Sequence, residues 1–365
     1  MRCLLALALA AVLGAVTATA TSACDLTIDV WYPSSNLPAN PTFSIAGTPP
    51  LNWNNPWGPL TQVATDHWQA VIPLSTDNLN ASLPQWEVAF KVLVDGVYEL
   101  GANHRITATY PQTAVNKTIY PYFETAEGAT FTINNVYSPQ LNNTRDVWIY
   151  APPAMVENTY FWAENVIVMQ DGQNLAPLWN VTNHVNSLID QQLMEQLFII
   201  GPYNTPDRIG EYTYSKSKYY GGGKGDIYLD WVQDTLVPLV ATKFQIRTAQ
   251  PNLAIGGSSL GGLISCYAGI TRPHIYSKMI CMSSSFWWNN ADFHSTIIPQ
   301  LTDTNGKTQS YYLDSGDSGN SDDDIHDTSI VSTSFLTSLK GFTLGKNFFW
   351  YCLRGGQHNE YYWSE

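Results

Sequence analysis

One stretch constrains this 365-residue chain more than any other: Gly256-Gly257-Ser258-Ser259-Leu260-Gly261-Gly262. The apolar run Leu253-Ala254-Ile255 precedes it and reads as a strand. Leu260, Leu263, Ile264, Tyr267 and Ala268 follow at helical spacing. Strand, tight turn and helix form the setting in which G-x-S-x-G becomes a nucleophile elbow, with Ser259 at its apex. A side chain held on so sharp a turn needs neighbours without Cβ bulk, and Gly257 and Gly261 supply them. The same pattern also occurs in ordinary glycine-rich turns, so the rest of the chain must provide what such a serine requires.

The C-terminal part has the right architecture. Asn165-Val166-Ile167-Val168-Met169, Leu197-Phe198-Ile199-Ile200-Gly201 and Met279-Ile280-Cys281-Met282 are near-continuous apolar runs, the mark of parallel strands buried on both faces. Helical windows at 183–197 and 228–240 lie between them. Strands alternating with helices predict a doubly wound, mostly parallel α/β sheet over residues 144–365.

The N-terminal part reads differently. Residues 1–23 hold Arg2, an apolar run from Leu4 to Val16 and small-residue cleavage sites, the pattern of a secretory signal peptide. Residues 24–108 are short alternating runs punctuated by Pro, Asn and Gly. The clearest, at 42–47, 68–73 and 86–93, predict an all-β, immunoglobulin-like sandwich. Residues 109–143 read as a linker with a β extension. Four N-x-S/T sequons, at Asn80, Asn116, Asn142 and Asn180, fit an exported glycoprotein. Cys24, Cys266, Cys281 and Cys352 would remain after cleavage, as one or two disulfides or as buried thiols. A formal charge of −13 argues against nucleic acid or anionic membranes as partners. Low charge with abundant aromatics suits a secreted protein that handles sugars or other neutral substrates.

A serine elbow on such a sheet takes its acid and then its histidine from later in the chain. His67, His104 and His184 precede Ser259; His274 and His294 come before any acid loop, and His326 lies within it. His358 remains, on a glycine-flanked loop after the apolar run at 348–352. The acid belongs in the loop after Ser310-Tyr311-Tyr312-Leu313, where Asp314, Asp317, Asp322, Asp323, Asp324 and Asp327 crowd together. Asp323 is the preferred choice and Asp317 the next. Two backbone N–H groups must face the developing oxyanion. Leu260 supplies one, and Gln173, beside Gly172 in the loop after Met169, supplies the other. No His/Cys cluster suggests zinc, and the aspartate spacing does not fit an EF-hand, so no metal or cofactor is expected. Trp287 and Trp288, after Ser283-Ser284-Ser285-Phe286, either line an aryl or sugar subsite or pack beneath the elbow helix.

Five collinear segments resemble an esterase family of α/β hydrolases that includes enterochelin esterase, esterase D, feruloyl esterases and mycolyltransferases. They are Arg145–Tyr150, Met169–Asn174, Gly256–Gly262, Leu313–Gly316 and Gly356–Glu360. The resemblance implies Ser259 as nucleophile, His358 as base, and oxyanion donors at Gln173 and Leu260. It implies the acid only loosely, because the 314–327 loop is longer and more acidic than the family pattern. Residues 25–108 resemble the starch-binding domain, carbohydrate-binding module family 20, at Gly47 with Leu51-Asn52-Trp53, at Trp68, at Phe90-Lys91 and at Tyr98-Glu99 with Gly101–Arg105. That resemblance implies glucose stacking on Trp53 and Tyr98, aided by Lys91. Trp53 lacks the preceding glycine, Tyr98 replaces a tryptophan, and His104 interrupts the Asn-Arg close.

Together these observations predict a secreted serine esterase acting on esters of or near polysaccharides, tethered by a starch- or glucan-binding module. The alternatives are acyl transfer to sugars on the same fold, or a non-catalytic glycan-binding protein.

Overall fold

Alternating apolar residues build the N-terminal third into two facing sheets. The computed structural model describes residues 24–74, 85–109, 115–319 and 322–364, so the expected signal segment and Asn80 lie outside the described residues. The strands are β1 (Cys24–Trp31), β2 (Phe43–Gly47), β3 (Thr61–Ala64), β4 (His67–Leu74), β5 (Gln85–Val94), β6 (Val97–Tyr98), β7 (His104–Thr109) and β8 (Val115–Ile119). One sheet runs β3-β4-β1-β8, and the other runs β2-β5-β6 with β7 also paired to β5, along Gln85–Phe90. Every second residue points inward: Leu26, Ile28 and Val30 from β1, Trp68, Ala70 and Ile72 from β4, and Val88, Phe90 and Val92 from β5 share one core. The stretch expected to be a linker is divided. Its first strand, β8, pairs parallel with β1 and completes the sandwich.

Its second strand opens the larger sheet. That sheet contains β9 (Ala129–Ser138), β10 (Asn143–Ala151), β11 (Val166–Met169) and β12 (Phe198–Pro202). A small hairpin, β13 (Lys216–Ser217) and β14 (Gly221–Gly222), lies outside it. The sheet continues with β15 (Leu253–Ser258), β16 (Lys278–Met282), β17 (Ser310–Gly316) and β18 (Phe348–Leu353). The order is β18-β17-β16-β15-β11-β12-β10-β9, parallel from β18 to β12 and antiparallel for the last two. All residues of β11, β12 and β15 are buried, as expected for strands covered on both faces. The chain reverses direction across the sheet between β11 and β15, the point at which open α/β sheets place their sites.

The helix Leu260–Thr271 is buried along almost its whole length against β15 and β16. A disulfide between Cys266 and Cys281 ties it to β16, with Cα atoms 5.9 Å apart. The helix expected at 183–197 ends at Asp190, because Gln192 turns to a φ of 60° and Leu193 N–H bonds back to Leu188 O. No described helix is long and apolar enough to cross a membrane.

Polar contacts bind the sandwich to the large sheet. Glu157, which ends the short helix Pro153–Glu157, accepts the Tyr32 hydroxyl at 2.7 Å and the N–H groups of Phe123, Glu124 and Thr125 at 2.7, 2.8 and 2.7 Å. Burial pushes its carboxyl up, but those four donors outweigh burial and hold it below its ordinary value. Asn158 Nδ2 donates to Trp31 O and Pro121 O, both at 2.9 Å, and the Tyr160 hydroxyl donates to Asp66 at 2.7 Å.

Candidate active site

Ser259 sits where β15 meets its helix, half-buried, with φ 59° and ψ −124°. A non-glycine residue holds such a conformation only when its surroundings enforce it. They do so here: Ser259 N–H bonds to Met282 O at 3.0 Å, and Ser259 O receives the N–H groups of Leu263 and Ser285 at 3.0 and 3.1 Å. The flanking glycines have a specific cause. A Cβ on Gly257 or Gly261 would lie 2.8 or 2.9 Å from the Cβ of Gln170, which is fully buried under the turn. Gln170 in turn accepts a hydrogen bond from the Tyr228 hydroxyl. The Ser259 hydroxyl lies 3.2 Å from that of Ser285, a neighbour that sequence reasoning did not assign a role.

The two expected oxyanion donors open helices on adjacent strands. Leu260 begins the helix after β15, and Gln173 lies in the first turn of Gly172–Leu175, after β11. First-turn N–H groups have no partner within their helix. The Gln173 loop is sharply set. Asp171 has φ 59° and ψ 47°, and a Cβ on Gly172 would stand 1.9 Å from Gly201 O. Arg208 clamps Asp171 with two bonds of 2.8 Å, Asn204 Nδ2 adds one of 2.6 Å, and Asn204 N–H donates to Gln173 Oε1 at 3.2 Å. Behind Arg208, Arg145 meets Glu211 through buried bonds of 2.7 and 2.8 Å and stacks over Trp231 at 4.4 Å. The purpose of Arg145 is not visible in the sequence. No local signal marks it, because it lies in a polar Asn-Thr-Arg-Asp start of β10 and its partner is 66 positions away.

His358 follows β18, and its Nδ1 lies 2.5 Å from Asp324 Oδ2. The described partner of the histidine is thus Asp324, and the side chain of Asp323, the expected acid, lies outside the described residues. Asp322–Thr337 forms a helix, in which residues three and four positions apart share a face. Asp324, Thr328, Val331 and Phe335 form its buried stripe, with Asp324 only 3% exposed. Asp317 has a different task. It accepts the Gly355 N–H at 2.6 Å, while Ser318 N–H bonds to Gly356 O at 3.1 Å, so together they fasten the histidine loop. Asp314 lies deeper and accepts the Ser283 N–H at 2.9 Å; burial pushes its carboxyl up to about 6, against that bond. The loops carrying Ser259, Gln173, Asp324 and His358 all open at the C-terminal ends of parallel strands.

The tryptophans divide. Trp288 is buried and donates its indole N–H to Ser215 O at 3.0 Å, whereas Trp287 is 40% exposed. In the sandwich, Trp53 and Tyr98 come together, with ring centroids 6.5 Å apart and the Tyr98 hydroxyl on Trp53 O at 3.0 Å. Lys91 does not join them as a surface group. It is buried and donates to Glu99 O at 3.0 Å and Gly101 O at 2.6 Å, which corrects the expectation that it contacts a sugar.

The family described as Putative esterase matches residues 138–365, from β9's last residue onward. The uncharacterized protein YbbA of Bacillus subtilis is 30% identical over 149 residues, 39% of this chain and 58% of that protein. The iron(III) enterobactin esterase of Escherichia coli K12 is 26% identical over 161 residues, 41% of this chain and 35% of that protein. The chain thus matches less than two thirds of either relative's length. The solved enterochelin esterase of Shigella flexneri superposes with a TM-score of 0.52 at 16% identity, over 93% of this chain and 89% of that one. That likeness of fold extends beyond the family match into the sandwich.

Proposed function

The chain belongs to the Putative esterase family of α/β hydrolases, and from that premise we propose that it is a serine carboxylic-ester hydrolase. The observation that carries this reading is a serine on a strained elbow in the same fold as a histidine already held by a buried carboxylate. Asp324 on Nδ1 fixes the imidazole tautomer, leaving Nε2 to take the Ser259 proton as the hydroxyl attacks an ester carbonyl. The Leu260 and Gln173 N–H groups receive the charge that develops on the carbonyl oxygen. The protonated imidazole then returns its proton to the departing alcohol, and an acyl-Ser259 remains. Water, deprotonated by the same imidazole, releases the acid and restores the serine.

Two substrate classes are proposed in order. The names of the relatives, enterobactin and triacetylfusarinine C esterases among them, favour an ester-linked siderophore. An ester on or near a polysaccharide ranks second. It keeps the support of the Trp53–Tyr98 pair but loses that of Lys91. Export and glycosylation complete the proposal: the Cys266–Cys281 disulfide suits an oxidising compartment, and Asn116, Asn142 and Asn180 are exposed. The purified protein, beside Ser259→Ala, should hydrolyse p-nitrophenyl acetate and then be ranked on enterobactin and feruloyl sugar esters. Turnover by both forms alike, or by neither, would refute the esterase reading.

A further inference from the structure

The residues around the Ser259–Ser285 contact lead outward to a surface that the catalytic account does not use. Trp287 follows Ser285 by two residues and is exposed beside the nucleophile's loop. Across from it stands the β13–β14 hairpin. Tyr220 on that hairpin meets Trp287 edge-on at 6.3 Å and Trp288 at 6.0 Å, yet stays 61% exposed. The hairpin is seated rather than loose. Gly221, Gly222 and Gly223 all have φ between 75° and 92°, which only glycine adopts readily. A Cβ on Gly222 would fall 2.8 Å from Trp288 Cζ2, so the backbone lies flush on the buried tryptophan. Ser217 Oγ accepts the Tyr219 and Tyr220 N–H groups at 3.2 and 3.4 Å, and Gly223 N–H donates to Thr213 Oγ1 at 3.0 Å.

Charge singles out the same element. In a chain of formal charge −13, Lys216, Lys218 and Lys224 fall within nine residues. Lys224 is paired with Asp207. Among the described residues neither Lys216 nor Lys218 has a carboxylate partner, and both are exposed. Lys218 lies 5.9 Å over the Tyr219 ring. Aromatic faces and uncompensated ammonium groups on one hairpin, which touches the segment that follows Ser285, are complementary to a flat, negatively charged group.

We propose that Tyr220 and Trp287, with Lys216 and Lys218, form the specificity site of this hydrolase and select esters that carry an anionic aromatic ring. The proposal rests on the esterase reading for its turnover but not for its binding. Stacking holds the ring, and the lysines add attraction that weakens with salt.

Three probes test it: 4-acetoxybenzoate, its neutral methyl ester and ethyl acetate. Tyr220→Leu and Trp287→Leu should each lower the ratio of aryl to ethyl ester kcat/KM about tenfold, chiefly through KM. The double change Lys216→Gln with Lys218→Gln should lower the ratio of anionic to neutral aryl ester roughly threefold at low salt, an effect lost at 0.5 M salt. Ratios that stay at the wild-type value would overturn the proposal. Equal loss on all three esters would also overturn it, since that is the signature of a merely structural role. Calorimetric titration of Ser259→Ala with the uncleavable amide 4-acetamidobenzoate separates the two readings. Binding that Tyr220→Leu weakens supports the site even if no ester is cleaved, and absence of binding sinks it.

Discussion

The elbow and the acid loop serve the same proposed chemistry, but their residues are positioned by different means. At the elbow, seven consecutive residues determine the geometry. The strain at Ser259 and the exclusion of Cβ atoms by Gln170 both act within that stretch or directly beneath it. At the acid loop, six carboxylates compete over fourteen residues, and the one that reaches His358 is chosen by the rotation of a helix against β17 and β18. Local backbone demands leave their mark in adjacent letters. A tertiary choice among similar neighbours leaves only a faint period, here Asp324, Thr328, Val331 and Phe335.

The sharpest way to break this comparison is to exchange the neighbours. Asp324→Asn should lower kcat about 10⁴-fold by releasing the wrong imidazole tautomer. Asp323→Asn should stay within about threefold of wild type, because Asp324 already holds the imidazole Nδ1. Ester hydrolysis by the two variants decides it, and a larger loss at Asp323 would return the acid to the first choice.

Next in size is the staple behind the elbow. Replacing Cys266 and Cys281 by serine opens a loop with a sequence separation of 15. The expected loss is about 3 kcal/mol of stability, read as a fall in Tm of roughly 6 to 12 °C. An unchanged Tm would mean that packing alone holds the helix against β16.

A smaller effect tests the sandwich. If Lys91 is a buried tether, Lys91→Met leaves the carbonyls of Glu99 and Gly101 without this donor and should cost about 1–3 kcal/mol in urea titration. A surface lysine waiting for sugar would show no such cost.

The smallest effect concerns pH. Asp314 is raised to about 6, so the folded state holds its proton more tightly than the unfolded chain does. The contribution to stability is full below the ordinary aspartate value and is lost as pH rises through about 6. Asp314→Asn keeps an acceptor for the Ser283 N–H and carries no charge. Its Tm relative to wild type should therefore rise by a few degrees, about 2 to 4 °C, between pH 5 and pH 8. A difference independent of pH would assign the shift elsewhere.

How much was legible follows the same division. β11, β12 and β15 were read to within a few residues because strands buried on both faces are written as unbroken apolar runs, and β16, β17 and β18 as closely because their runs are apolar too, although β18 is mostly exposed. The division of residues 109–143 between two sheets was not legible, since β8 and β9 alternate in the same way and only pairing distinguishes them. Lys91 was misread for a related reason. Ala89 and Leu93, two residues to either side of it, are buried apolar residues, yet nothing in the sequence shows that two loop carbonyls wait there for an ammonium group. The Asp171–Arg208 and Arg145–Glu211 pairs join residues 37 and 66 positions apart, beyond the reach of any local pattern.

The central claim is that Ser259 is a nucleophile activated by His358. Labelling with a fluorophosphonate and mapping the adduct by mass spectrometry tests it without knowledge of the substrate. One adduct on the peptide containing Ser259, slowed at least a hundredfold in His358→Ala, is the predicted result. Labelling elsewhere, or at Ser259 with no dependence on His358, would contradict it.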